Sequence, residues 1–291
     1  MEIQKEKKMT ETRPVIALMY DFDKTLCTKD MQEYTFIPRV NMSAEEFWGE
    51  AVRLSKEEKM DPILAYMLLM IDKARSSHVM IHRENFVEMG PDLELFNGVE
   101  GWFERMDKLG DELGVSIEHY IISSGLKEII EGSSVYKYFK DVFACEFYYD
   151  ENDVAVWPKN VVNYTTKTQF LFRINKGILD LSENTELNAY TPKEERRVPF
   201  ENMIYVGDGL TDVPCMKLVR ANGGYSIAVH KKGQEAKVKD LILDGRVDFI
   251  AEADYSEGGD LDETVKDVIR KMAVQDRLRR KSLAQLNESR D

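Results

Sequence analysis

Short, almost wholly apolar runs that stop abruptly at acidic or small polar residues constrain this chain more than any other feature. Val15-Ile16-Ala17-Leu18-Met19-Tyr20 ends in Asp21-Phe22-Asp23-Lys24-Thr25. Ile117 to Ile122 ends in Ser123-Ser124-Gly125, and Met203 to Val206 ends in Gly207-Asp208-Gly209-Leu210-Thr211-Asp212. Two further runs, Tyr225 to Val229 and Val247 to Ala251, follow. Runs of this length without polar alternation read as strands covered on both faces, as in a parallel sheet. Helical patterns separate them, around 98–114, 211–221, 234–243 and 260–285. Strands alternating with helices predict a Rossmann-like, doubly wound α/β sheet.

Residues 29–96 interrupt this rhythm with helix signals and no clear buried strand. Ser43-Ala44-Glu45-Glu46 has the form of a capping box ahead of a helix to about Ser55. Asp61-Pro62 pairs an N-cap with a proline at the first helical position and opens a helix to about Arg75. A domain averages about 150 residues, so 291 residues suggest two domains, or one with a large insert. The division expected is an α/β core from 14–28 and 97–291, with a helical insert at 29–96. Val142 to Tyr149 and Val154 to Trp157, around the polar turn Asp150-Glu151-Asn152-Asp153, predict a hairpin instead. Pro192 to Pro199 reads as a charged surface loop.

Acids outnumber bases 53 to 40, a net charge of −13. That argues against a sequence-independent nucleic-acid binder, which is normally basic. The longest apolar run, Ile63 to Ile71, has nine residues, against roughly 20 for a membrane span. The first fourteen residues are charged and lack a signal peptide's apolar core, and Met9 offers an alternative start. Cys27, Cys145 and Cys215 are too few and scattered for a disulfide framework. A cytoplasmic protein is expected, with no nucleic-acid or membrane partner; the oligomeric state is left open.

In an open α/β sheet the ligand site lies beyond the carboxyl ends of the strands, where strand order reverses. Asp21, Asp23, Ser123 and Asp208 are therefore candidates to converge, although far apart in sequence. Carboxylates brought close together raise one another's pKa unless a cation joins them, and an open oxygen-ligand site suits Mg²⁺.

These residues carry a resemblance to a known family. Asp21-Phe22-Asp23-Lys24-Thr25-Leu26 matches the D-x-D-x-T signature of the haloacid dehalogenase-like (HAD) phosphohydrolases. Ile121-Ile122-Ser123 matches their second motif and Gly207-Asp208-Gly209-Leu210-Thr211-Asp212 their fourth. The chain resembles most the phosphoserine-phosphatase-like branch, whose helical cap is inserted just after motif one. The resemblance covers roughly residues 14–28 and 97–255, and it makes 29–96 the cap domain.

The resemblance implies an Mg²⁺-dependent phosphatase acting on a small phosphorylated metabolite. Asp21 would be the nucleophile, forming an aspartyl-phosphate, and Asp23 the general acid and then base. Asp21 and Asp208, with the main-chain carbonyl of Asp23, would hold the metal; Asp212 would bind it through water or orient its neighbours. Ser123 would donate to a phosphoryl oxygen, Ser124 and Gly125 would offer backbone N–H groups, and Thr25 would hold the motif-one loop. Lys167 and Lys176 are both candidates for the motif-three lysine; Lys167 is the better placed, at the start of the helix after the hairpin. Asp30, nine residues after Asp21, falls where phosphoserine phosphatases carry an acid that reads the substrate amine. Asp23 marks a phosphatase rather than a dehalogenase. A phosphotransferase or mutase would use the same residues, and a non-catalytic phosphate-binding protein would lack one of them.

Plainer readings stand beside these. Asp21 and Asp23 also suit strand-end turns, and Asp208 and Asp212 suit helix caps. Cys27 reads as a small buried side chain. His78 and His82, four apart, lack the glutamate of a zinc-protease motif. Seven of the fourteen methionines lie in 29–96, as expected for helical core filling. The insert of 68 residues and the segment from Lys176 to Pro199 are long for the phosphoserine branch, which leaves the substrate open.

Overall fold

The structure is a computed structural model that describes residues 13–289. The charged segment 1–12, with the alternative start at Met9, lies outside them. In chain order the elements begin with β1 (Val15–Tyr20), α1 (Ala44–Glu58), α2 (Pro62–Ser76) and α3 (Val99–Leu113). β2 (Ser116–Leu126), β3 (Phe139–Tyr149), β4 (Ala155–Asn160) and α4 (Lys167–Lys176) follow. The chain closes with β5 (Met203–Gly207), α5 (Val213–Ala221), β6 (Tyr225–His230), β7 (Phe249–Glu252) and α6 (Asp260–Glu288).

The strands form one sheet in the order β4-β3-β2-β1-β5-β6-β7. All neighbours pair in parallel except β3 and β4, the expected hairpin, which pair antiparallel. The uniform apolarity of β1 and β5 is explained by their position: both are central and buried. The chain runs outward from β1 through β2 and β3, then returns to β5 and runs out the other way. Strand order thus reverses beside β1, and the crevice there is the expected ligand position.

Local chemistry sets the helix starts. Ser43 and Glu46 form the reciprocal capping box at α1, and the Asp61 side chain accepts from the N–H groups of Ile63 and Leu64 at α2. The expected helix at 234–243 is broken into a 3₁₀ turn, Glu235–Lys237, and a short helix, Lys239–Leu243. The run Val247 to Ala251, read as buried on both faces, shifts to Phe249–Glu252 and is an edge strand with exposed ends. An edge strand has a partner on one side only, so its apolar run does not imply full cover.

The insert joins the core through a narrow neck. Thr28 N–H donates to Glu94 O and Phe96 N–H to Leu26 O, both at 2.9 Å. Between these points the chain is helical, with α1, α2 and the short helix Arg83–Val87. A second tie runs to the hairpin, where Ala155 N–H donates to Ile81 O. Methionines 31, 67, 70 and 89 of the insert are buried, as core filling requires. No helix among the described residues is long and apolar enough to cross a membrane. All three cysteines are free and buried.

Candidate active site

β1 and β5 end side by side: Tyr20 pairs with Val206, and Asp21 N–H donates to Val206 O at 2.9 Å. This register carries Asp21 and Asp208 to the same rim. One carboxylate oxygen each from Asp21, Asp208 and Asp212 lie within 4.8 Å of one another. Lys167, at the start of α4 and fully buried, brings its ammonium between two of them, 3.1 Å from Asp21 Oδ1 and 2.7 Å from Asp212 Oδ1. Lys176 is elsewhere: its Nζ donates to the carbonyls of Leu187 and Ala189. The geometry therefore separates two lysines that the sequence left as alternatives.

Asp212 does not cap α5 with its side chain. It accepts from Lys167 and the Tyr205 hydroxyl on Oδ1, each at 2.7 Å, and from Gly209 N–H on Oδ2. Oδ1 thus holds the lysine, and Oδ2 touches the β5 loop. Asp21 Oδ1 is buried and receives no well-directed hydrogen bond, since Lys167 approaches it off-axis.

β2 supplies the third wall. Ile122 pairs with Phe143 and Leu126 with Cys145, so β2 advances four residues while β3 advances two. Ser123, Ser124 and Gly125 therefore bulge out of the ladder. Gly125 N–H donates to Ser123 Oγ at 3.0 Å. A side chain could not replace the hydrogen of Gly125: its Cβ would fall 2.2 Å from Met31 Cε and 2.9 Å from Asp23 Oδ2. Asp23 Oδ1 is held by Met31 N–H at 2.9 Å and by the Cys27 thiol. Its second oxygen faces Gly125, which joins the first motif to the second.

Burial raises the Asp21 carboxyl to about 6, with Lys167 pulling it back and Asp212 adding to the rise. Burial, then Asp21 and Asp212, push Asp208 up to about 8. Asp23 is held well above the usual carboxylate range by burial, then by Asp30 and Asp21. Burial pulls the Lys167 ammonium down, but the two aspartates outweigh it and hold it above its ordinary value. The cause is burial and mutual repulsion among the carboxylates, only partly offset by Lys167 and Lys24.

An all-oxygen donor set with surplus negative charge fits a hard divalent cation such as Mg²⁺. Asp21, Asp208 and Asp212 each bring an oxygen to this group, and Asp212 Oδ2, which accepts only from Gly209 N–H at 3.3 Å, keeps a lone pair to offer. The same charge surplus sets a pH dependence. A carboxyl raised in the folded state contributes stability that is present below its unfolded pKa, about 4, and is lost as pH rises through the folded value. For Asp208 that window runs up to about 8. In chelator, Asp208→Asn is expected to melt above wild type at pH 8, the gap closing towards pH 4. Millimolar Mg²⁺ should raise the wild-type melting temperature and leave the variant's nearly unchanged. A gap that does not vary with pH would rule out this account of the cluster.

Other expected residues fall as follows. The Thr25 hydroxyl is buried without a partner; the loop is held instead through the Thr25 carbonyl, which accepts from Tyr255 OH at 2.9 Å. Asp30 is ion-paired with Lys24, whose backbone is left-handed, φ 57°. Burial, then the nearby Asp23 carboxylate, push the Cys27 thiol well above its ordinary range, so it is no nucleophile. His78 and His82 do not share a helix face: α2 ends at Ser76, and His82 precedes the next helix with Nδ1 beside Asp153 O. Nothing in the sequence singles out Tyr66, Tyr205 or Met31 as residues of this site. The available signal was the tyrosine hydroxyl itself, which must find a partner when buried.

Sheet order, insertion point and acidic rim together define an HAD-type hydrolase. The family model for haloacid dehalogenase-like hydrolases matches residues 18–217, and the chain belongs to that family. It is 30% identical over 280 residues to an uncharacterized protein of Borreliella burgdorferi, covering 86% of this chain and 95% of that one. Among solved structures it is similar to a HAD-family hydrolase from Salmonella enterica serovar Typhi, with TM-score 0.55 and 15% identity over 87% of this chain and 76% of that one. A substrate-bound phosphoserine phosphatase gives TM-score 0.52 and 15% identity, over 88% of this chain and 99% of that one. The chain thus shares the phosphoserine-phosphatase fold.

Proposed function

We propose that this hydrolase is an Mg²⁺-dependent phosphatase that cleaves a small soluble phosphomonoester through an aspartyl-phosphate. The observation that carries the reading is the placement of Asp21 against Lys167, 3.1 Å away, with Asp208 across the β1–β5 crevice.

An Asp21 oxygen attacks phosphorus as the bond to the leaving oxygen breaks. Asp23, whose raised pKa favours the protonated form, gives its proton to that oxygen from Oδ2, the atom not held by Met31. Asp23 then takes a proton from water, which attacks phosphorus and frees the Asp21 carboxylate. Lys167 and Ser123 face the charge on the phosphoryl oxygens, with the Ser124 N–H beside them; the Gly125 N–H, expected to share that role, is taken by Ser123 Oγ. Asp212 keeps Lys167 in place. Asp21, Asp208 and the Asp23 carbonyl would hold Mg²⁺, which when bound offsets phosphate charge. The 29–96 insert is the cap over the leaving group. Asp30 is a proposed contact for a substrate amine or hydroxyl. Three unpaired buried cysteines support a reducing, cytoplasmic setting.

The test is release of phosphate from an aryl phosphate, then from a panel of phosphorylated amino alcohols, sugars and nucleotides, with and without chelator. Release that stops in chelator and returns with Mg²⁺ is expected. No release from any member, with inorganic phosphate still binding, would replace this reading with a phosphate-binding protein.

A further inference from the structure

The insert reaches the motif-two bulge with one buried hydroxyl. Tyr66, on α2, is 3% exposed and donates from its OH to the Ser124 carbonyl at 2.7 Å. Its ring is braced edge-on by Trp48, centroids 5.8 Å apart. The Ser124 carbonyl and the Gly125 N–H belong to one planar peptide unit and point in opposite directions. Holding the oxygen therefore aims the N–H, and that N–H donates to Ser123 Oγ at 3.0 Å. With this acceptor position filled, the Ser123 hydroxyl hydrogen is left to donate outward. A second grip comes from the same insert, since Met31 Sδ accepts from Leu126 N–H at 3.1 Å.

We propose that Tyr66 is a positioning residue for Ser123: docking of the insert turns the Ser124–Gly125 peptide and so directs the Ser123 proton to a phosphoryl oxygen. The insert is then a working part of the phosphate cradle as well as its cover. The proposal rests on the phosphatase reading for its kinetic consequence, and on the hydrogen bonds alone for its structural one.

Tyr66→Phe keeps the ring and removes the hydroxyl. One neutral hydrogen bond is worth up to about tenfold, so kcat for an aryl phosphate should fall about tenfold. Affinity for inorganic phosphate with Mg²⁺ should weaken by a similar factor, and the Gly125 amide should exchange with solvent faster. On a Ser123→Ala background the same substitution should cost less than about twofold, because its target is already gone. Wild-type kcat and phosphate affinity in Tyr66→Phe, or an equal loss on the Ser123→Ala background, would overturn the proposal. If wild type releases no phosphate from any substrate, the phosphatase reading fails while Gly125 exchange still decides the role of Tyr66: unchanged exchange overturns it.

Discussion

Asp21→Asn is expected to abolish phosphate release, by on the order of 10⁴-fold or more, the scale seen when a covalent nucleophile is removed. An amide oxygen is a far weaker nucleophile than a carboxylate, and no other carboxylate takes its place. Asp208 and Asp212 leave from the neighbouring strand, and Asp212 is committed to Lys167, Tyr205 and Gly209. The fold should survive. Asp21 shares Lys167 with Asp212 and lies close to Asp208, with its own carboxyl raised to about 6. Loss of its charge relieves repulsion, and Lys167 keeps Asp212 at 2.7 Å. In chelator at neutral pH the variant should therefore melt no lower than wild type, and no phosphorylated protein should be trapped after acid quench. A variant with more than about one per cent of wild-type turnover would remove Asp21 from the nucleophile's role.

Lys167→Met should act in the opposite sense on stability. The lysine is fully buried, and its ammonium lies within ion-pair distance of both Asp21 and Asp212. Methionine fills a similar volume but leaves Asp212, itself fully buried, with only the Tyr205 hydroxyl and the Gly209 N–H. Breaking a buried pair from one side costs about 3–5 kcal/mol. For a chain of this size that lowers the melting temperature by roughly 5–8 °C in chelator. Turnover should fall by on the order of 10³-fold, since a fixed cation facing the transferring group is lost. Lys167→Met with Asp212→Asn should melt above the single variant, because the stranded carboxylate is gone. A single variant that melts within about 2 °C of wild type would contradict the pairing described here.

The motifs were legible because catalysis of this kind concentrates on strand ends. The apolar runs of β1, β2 and β5 mark buried parallel strands, and the polar residues after them fall where such a sheet opens its crevice. On that ground Asp21, Asp23, Ser123 and Asp208 are candidates from sequence alone, and the structure brings Asp21 and Asp208 to one rim. The capping box at Ser43 and the Asp61-Pro62 start were readable for a similar reason: the signal and its partner lie within one helical turn. The edge position of Phe249–Glu252 and the break in the helix at 235–243 are not legible locally, because local pattern does not report which neighbours cover a segment.

The two lysines show the limit more sharply. Lys167 and Lys176 sit on one helix, nine residues apart, and both had reasons to be chosen. Only the packing of α4 against the sheet sends one ammonium to Asp21 and the other to the carbonyls of Leu187 and Ala189. Tyr66, Met31 and Tyr205 were hidden for the same cause. Their partners lie 58, 95 and 7 positions away, and nothing in a buried tyrosine's local sequence says which carbonyl or carboxylate its hydroxyl will meet. What the amino-acid order determined by itself was the strand-and-helix alternation and the acidic strand ends, since those depend on side chains a few positions apart. Which lysine pairs with the acids, how the β2 bulge is held and where the insert grips it were decided only by the tertiary structure. Those contacts exist only once the sheet has brought distant segments together in a space too small and dry to leave a charge or a hydroxyl unmatched.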